Sequence, residues 1–355
     1  MTKLASIKEI IQDAKKGKLF ILVDDHNREN EGDLIIPGSK CTSKHINFMA
    51  KHGRGLICLA LTKKKIKQLN LKLMTMSNKS RFQTAFTVSI ESRKGVSTGI
   101  SVFDRAKTIK VAIKPKSSSR DISTPGHIFP LVSKNGGVLE RAGHTEASVD
   151  ISKLANLNPS AVICEVLNDD GRMARLNDLI KFGKRHKIKI ASIEDLIAFR
   201  LKTENFIKLI SQKIFNFSNH GKIDLKIYKN NLDGLEHYVF AKGNISGKDP
   251  VRVRVFAKAN IAVNFNKKPN FKGVFKTLKY LNKYKKFVFV MINKKEKDIV
   301  ENDKTNTLRQ YGIGAQILKK LGVKKIILVS RSRKNIIGLK GFDIKIVKQE
   351  ITNNL

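Results

Sequence analysis

The chain has 355 residues, of which 41% are hydrophobic; this is enough apolar mass for folded cores, and at this length two domains are expected. The formal net charge is +40. Residues 1–200 carry 36 basic and 19 acidic side chains and residues 201–355 carry 34 and 11, so the excess (+17 and +23) is not a basic tail.

With aromatic residues at 7% and no Trp, there is no stacking platform among the basic residues. The charge therefore reads as a general surface bias, with salt-sensitive, non-specific polyanion binding as its expected consequence. No apolar run approaches the roughly 20 residues that span a bilayer. No apolar signal core follows the N-terminal lysine, so a cytoplasmic protein without membrane contact is expected. Three cysteines without paired spacing, Cys41, Cys58 and Cys164, are expected as reduced thiols.

Ser6 to Glu9 forms a capping box, and Ile7, Ile10, Ile11 and Ala14 share one helical face ending at Gly17. Leu19 to Val23 is an apolar run read as a buried strand, delivering the chain into a polar loop over Asp24 to Asp33. Thr42 or Ser43 caps a helix reaching His52. Strands are expected at Gly55 to Leu61, Phe86 to Ile90, Ile128 to Leu131 and Ala161 to Val166. Helices are expected at Asp104 to Lys110, from a Thr145 cap to Leu154, at Arg175 to His186 and at Ile193 to Arg200. The alternation predicts a three-layer α/β (α+β) domain with a mixed sheet.

Residues 201–220 read as a boundary, partly helical. Beyond it, strands are expected at Ile223 to Tyr228, His237 to Ala241, Val251 to Phe256, Phe287 to Met291 and Ile326 to Val329. Helical periodicity marks Phe271 to Leu281 and Leu308 to Leu321. This is a second, smaller α/β domain, giving domains 1–203 and 204–355.

Two clusters carry chemistry. Asp24, Asp25, Glu29, Glu31 and Asp33 place five carboxylates within ten residues after a buried strand. Such density in a basic protein suits a hard cation with oxygen ligands; it also suits a solvated acidic turn. Arg141-Ala142-Gly143-His144-Thr145 stands at a predicted helix start, where amides, helix dipole and arginine would hold a phosphate. His144 there could ligate a metal or move protons, or be a satisfied structural histidine. Pro125-Gly126-His127 precedes a strand. Glu165 ends an apolar strand, where partial desolvation suits a carboxylate to proton transfer.

Together these stretches resemble the 3,4-dihydroxy-2-butanone 4-phosphate synthase family. The carriers are Asp24-Asp25-x-x-Arg28-Glu29-Asn30-Glu31-Gly32-Asp33, Thr98-Gly99-Ile100-Ser101-x-x-Asp104-Arg105, Pro125-Gly126-His127-x-Phe129-Pro130-Leu131 and Arg141 to Ala147. The match continues through Cys164-Glu165 and Gly171 to Arg175. Thr124 stands where the family commonly has arginine.

The resemblance implies conversion of D-ribulose 5-phosphate to L-3,4-dihydroxy-2-butanone 4-phosphate and formate, dependent on Mg2+ with Mn2+ as the alternative, by a homodimer. It implies Glu29 and His144 as metal ligands. Substrate contacts would come from Arg28, Glu29, Asp33, Arg141, Ala142, Gly143, His144, Thr145 and Glu165. His127 and Glu165 would be essential for catalysis.

Residues 205–350 resemble, more weakly, GTP cyclohydrolase II, through Glu236 to Gly243, Val251 to Val255 and Tyr311 to Val323. That family holds zinc through three cysteines, and this chain has none after Cys164. Only His220 and His237 remain there, and Asn293 to Lys297 replaces the catalytic loop. The expectation is a retained fold without zinc or cyclohydrolase activity; the alternatives are a bifunctional enzyme and a C-terminal module binding a polyanion or partner.

Overall fold

A computed structural model describes residues 4–26, 28–79, 82–216, 221–247, 249–259, 272–294, 304–333 and 342–353. The chain divides into two compact units, Met1–Ile197 and Ala198–Leu355.

In the first unit the elements are α1 (Ile7–Lys15), β1 (Phe20–Val23), β2 (Gly32–Pro37), α2 (Ser43–Phe48), β3 (Cys58–Thr62), α3 (Lys63–Gln68), β4 (Ile90–Ser92), α4 (Val102–Ala112), β5 (Ile122–Ser133), α5 (His144–Leu154), β6 (Ser160–Glu165), α6 (Leu176–His186) and β7 (Lys189–Ser192), with α7 (Ile193–Thr203) crossing the division. The strands form one mixed sheet in the order β4-β5-β3-β6-β2-β1-β7. Pairs β1/β7 and β3/β5 are parallel and the rest antiparallel.

β1, β2 and β6 are buried almost throughout because helices cover both faces. On one face Ile21, Leu34, Ile36, Leu59 and Val162 pack with Ile46 of α2, with Met49 just past its end and with Ile109 of α4. On the other lies α5, with α1 beside it. His144 to Ser152 of α5 are buried despite their polarity. Their hydroxyls are satisfied internally: Ser148 donates to the Thr145 carbonyl and Ser152 to those of Ser148 and Ser160.

The second unit contains β8 (Ile207–Asn216), β9 (Lys222–Asn230), β10 (Glu236–Lys242), β11 (Val251–Ala259), α8 (Lys272–Leu281), β12 (Phe287–Lys294), α9 (Lys304–Lys320), β13 (Lys325–Ser330) and β14 (Lys345–Ile351). Its mixed sheet has the order β14-β13-β11-β12-β10-β9-β8. Phe240, Phe287, Phe289 and Met291 pack against Val274, Leu278 and Leu281 of α8. The α/β class of both units and the mixed sheet of the first are as expected; the second sheet is mixed as well.

Several local expectations are corrected. Asp33 lies within β2, not in a loop, and β2 itself is an addition. β7 and β14 are further strands not expected from the sequence. The segment 201–220, expected to be partly helical, is helical only through Thr203, where α7 ends; residues 207–216 are β8, an exposed edge strand. Phe86 and Thr87 make only isolated bridges, and the strand there is β4. Gly143, not Thr145, is the N-cap of α5. Phe271, His220 and Lys295 to Lys297 lie outside the described residues.

His237 of β10 is fully buried, and its Nδ1 accepts the Asn293 amide. Burial lowers its pKa from 6.5 to about 4. The unfolded chain therefore binds a proton near pH 6.5 that the folded chain refuses until about pH 4. Stabilisation is complete above pH 6.5 and is lost as pH falls toward 4, by about 3 kcal/mol in all. Urea unfolding at pH 7 and pH 5 should show the wild type losing about 2 kcal/mol more than His237→Gln between the two pH values, the difference cancelling the other titrating groups. Equal pH sensitivity in both proteins would remove the assignment.

Candidate active site

The acidic loop between β1 and β2 is organised by Asp24. Its carboxylate accepts the amides of Glu29 (3.1 Å) and Glu31 (2.8 Å). Arg28 Nη1 bridges Asp24 (2.8 Å) and Glu29 (2.5 Å), and its guanidinium lies 4.9 Å from the Phe82 ring centroid. Arg175, at the start of α6, donates to the carbonyls of Glu29 and Asn30. Sequence reading placed Arg175 in a matched stretch but gave it no role; here it pins the loop that carries the acids.

This loop stands over the start of α5. His144 Nδ1 lies 3.6 Å from Glu29 Oε2 and 3.8 Å from Asp33 Oδ1. Ligand atoms of Asp24, Glu29 and His144 all fall within 4.8 Å of one another. His144 Nε2 is buried and has no hydrogen-bond partner among the described residues. Oxygen and imidazole donors this close, with one buried nitrogen unsatisfied, fit a hard divalent cation.

The electrostatics follow from burial among acids. Burial opposes the charge on Glu29, but the His144 hydrogen bond and Arg28 outweigh it and lower its pKa to about 2. Asp33 is pushed up to about 7 by burial, with Glu165 and Glu29 adding to the effect against His144. Burial also disfavours the charged form of His144, yet Asp33, Glu29 and Asp24 prevail and raise it to about 9. Asp33 faces Glu165 across the β2/β6 ladder. Glu165 Oε2 accepts the Leu56 amide at 2.8 Å, and a Cβ at Gly55 would lie 2.5 Å from that oxygen. Burial holds the Cys58 and Cys164 thiols neutral, so neither is a nucleophile.

Arg141 is more committed than sequence suggested. Nη1 donates to Glu146 (2.7 Å), while Nε and Nη2 donate to Phe82 O and Nη2 also to Thr84 Oγ1. Only one of its five N–H groups is left among the described residues. Gly143 has no side chain with which to cap the first-turn amides of α5.

A family model described as 3,4-dihydroxy-2-butanone 4-phosphate synthase matches residues 8–199. The chain belongs to this family. It is an enzyme of riboflavin biosynthesis. A GTP cyclohydrolase II model matches residues 277–350.

The 3,4-dihydroxy-2-butanone 4-phosphate synthase of Photobacterium phosphoreum is 41% identical over 368 residues, covering 97% of this chain and 98% of that protein. Riboflavin biosynthesis protein RibBA of Aquifex aeolicus is 41% identical over 377 residues, covering 98% of this chain and 92% of that protein. The crystal structure of RibBX, a two-domain synthase from A. baumannii, superposes with a TM-score of 0.82 at 34% identity, covering 98% of this chain and 99% of that one. A synthase solved in complex with two magnesium ions gives a TM-score of 0.54 at 37% identity, covering 56% of this chain and 98% of that one.

Of the residues on which the synthase resemblance rests, Arg28, Glu29, Asp33, His144 and Glu165 gather at one end of the sheet. His127 does not join them. It comes out at the same end of the sheet as Glu165, two strands away, about 10 Å by strand spacing. There its Nδ1 lies 2.7 Å from Glu91 Oε2. The Thr98 to Ser101 loop belongs to this second group: Gly99 packs on both side chains, and Asp104 accepts the Gly99 amide. Arg105 Nε is buried without a partner among the described residues. Sequence reading missed the Glu91 contact. The available signal was that Glu91 is the only acid in residues 51–100.

Proposed function

We propose that the chain converts D-ribulose 5-phosphate to L-3,4-dihydroxy-2-butanone 4-phosphate and formate, with Mg2+ held by Glu29 and His144 and with Asp24 beside them. The observation that carries this reading is the cluster of Asp24, Glu29 and His144 ligand atoms within 4.8 Å of one another, with His144 Nδ1 3.6 Å from Glu29 Oε2 and His144 Nε2 buried without a partner among the described residues. The synthase solved with two magnesium ions supports the choice of metal; Mn2+ would satisfy the same donors.

When bound, the cation supplies Lewis acidity to neighbouring substrate oxygens. The protein's residues do the rest. Arg28 and Glu29 contact the sugar from the first loop and Asp33 from the start of β2. The α5 amides from His144 and Thr145, with the last N–H of Arg141 and the small Ala142 and Gly143, receive the phosphate. Asp33, poised near neutrality, can exchange a proton at working pH. Glu165 and His127 serve as the other proton-transfer groups, needed because enolisation, loss of a hydroxyl and release of formate each move a proton.

The synthase domain runs to about residue 203, functions as a homodimer and resides in the cytoplasm. No described helix is long and apolar enough to cross a membrane. The domain from 204 onward is inactive as a cyclohydrolase and takes no zinc.

Purified protein with ribulose 5-phosphate and Mg2+ should release formate and the four-carbon ketone phosphate. EDTA should stop the release and added Mg2+ restore it. Absence of formate, or equal release in excess EDTA, would sink the reading.

A further inference from the structure

We propose that Glu91 is a positioning residue for His127, holding the imidazole in the tautomer and orientation that presents Nε2 to the substrate. The proposal deepens the synthase reading and rests on it through the role given there to His127. Glu91 Oε2 accepts from His127 Nδ1 at 2.7 Å and from the His127 amide at 3.2 Å. Its other oxygen, Oε1, accepts the Thr108 hydroxyl at 2.8 Å. Both carboxylate oxygens are thus engaged, and Glu91 can turn only by breaking bonds.

An ionised carboxylate only accepts hydrogen bonds. Facing one, the neutral ring must carry its hydrogen on Nδ1, which leaves the lone pair on Nε2. The Glu91 side chain is 12% exposed and that of His127 is 43% exposed, so the carboxylate forms the inner half of the pair and the imidazole the outer. Nε2 has no partner among the described residues. A free imidazole would divide itself between two ring orientations and two tautomers; the pair selects one. That is the contribution expected of a carboxylate behind a proton-transferring histidine.

The surroundings separate this pair from an ordinary surface ion pair, which would be worth little. The β4/β5 register jumps from Ile90↔Ile128 to Glu91↔Ser123, so Thr124 to His127 bulge out of the ladder and carry the imidazole onto Glu91. Gly126 permits the bulge: a Cβ there would lie 2.2 Å from the Ile90 carbonyl. Gly99 closes over the pair at φ +87°, where a Cβ would lie 2.0 Å from Glu91 Oε2 and 2.7 Å from His127 Nδ1. Two glycines, a bulge and a buried threonine hydroxyl converge on one carboxylate that touches none of the proposed metal ligands.

Steady-state kinetics of the full chain test this. Glu91→Gln keeps the shape and removes the obligatory acceptor. It should lower kcat for formate release about 10²-fold with KM changed less than about threefold. Thr108→Val should move kcat the same way by less. In a His127→Asn background, Glu91→Gln should cost under about twofold, because it acts only through the ring.

Wild-type kcat in Glu91→Gln, or an undiminished further loss in the His127→Asn background, would overturn the proposal. So would wild-type turnover by His127→Asn. Nitrogen-15 NMR of the histidines gives a readout independent of turnover. His127 should be protonated at Nδ1 in wild type and shift toward the Nε2 tautomer in Glu91→Gln; identical spectra refute positioning. A wild-type chain that released no formate would instead count against the synthase reading, while the NMR result still decided the pair.

Discussion

Alanine at Glu29 or at His144 should lower kcat for formate release by about 10³- to 10⁵-fold, the loss of several kcal/mol of transition-state stabilisation expected when a catalytic cation is no longer held. The two substitutions remove different things. Glu29 supplies the strong carboxylate, already ionised at pH 3 because its pKa lies near 2. His144 supplies a nitrogen that must be neutral to ligate, yet its acidic neighbours raise its pKa to about 9.

The sign of the pH effect follows. Below about pH 9 the cation-free site holds a proton on His144, and binding must expel it. Apparent Mg2+ affinity should therefore weaken about tenfold for each unit that pH falls between 8 and 7. Titration calorimetry in buffers of different ionisation enthalpy should register the released proton. A Glu29→Ala enzyme with more than a tenth of wild-type kcat, or Mg2+ affinity flat from pH 7 to 8, would remove these residues from the metal site.

How much of this was legible in the sequence depended on where the signal lay. α1 could be read because its capping box and its apolar face are both local. The acidic loop and the α5 motif could be read because their residues are contiguous. β8 and β14 could not: as exposed edge strands they carry lysines and polar residues on both faces, so the period-two alternation that marks a half-buried strand is blurred. β2 hid behind the carboxylate run, since Asp33 is buried only because neighbouring strands and α5 enclose it. The Gly143 cap left no trace because a glycine cap acts through its backbone. The Glu91–His127 pair spans 36 residues in sequence, and a bulge rather than a repeat brings it together.

With zinc supplied, the full chain should release neither formate nor pyrophosphate from GTP, while the same preparation makes formate from ribulose 5-phosphate. Similarity to RibBA of Aquifex aeolicus extends over nearly the whole chain, but a zinc site depends on ligand identity and not on overall likeness. No cysteine follows Cys164. His237, which could in principle replace a ligand, is fully enclosed in its strand and already accepts the Asn293 amide. Two histidines, His220 and His237, cannot replace the three cysteine donors by which that family holds zinc.

The stretch most like the cyclohydrolase, Tyr311 to Val323, serves the fold. Gly312 gives way to Leu201, and the Gln316 amide donates to the carbonyls of Leu201 and Glu204 while accepting the Phe206 N–H. Gln316→Ala should accordingly destabilise the C-terminal unit and leave GTP untouched. Zinc-dependent ring opening of GTP, read by chromatography beside the formate assay, would restore the bifunctional reading.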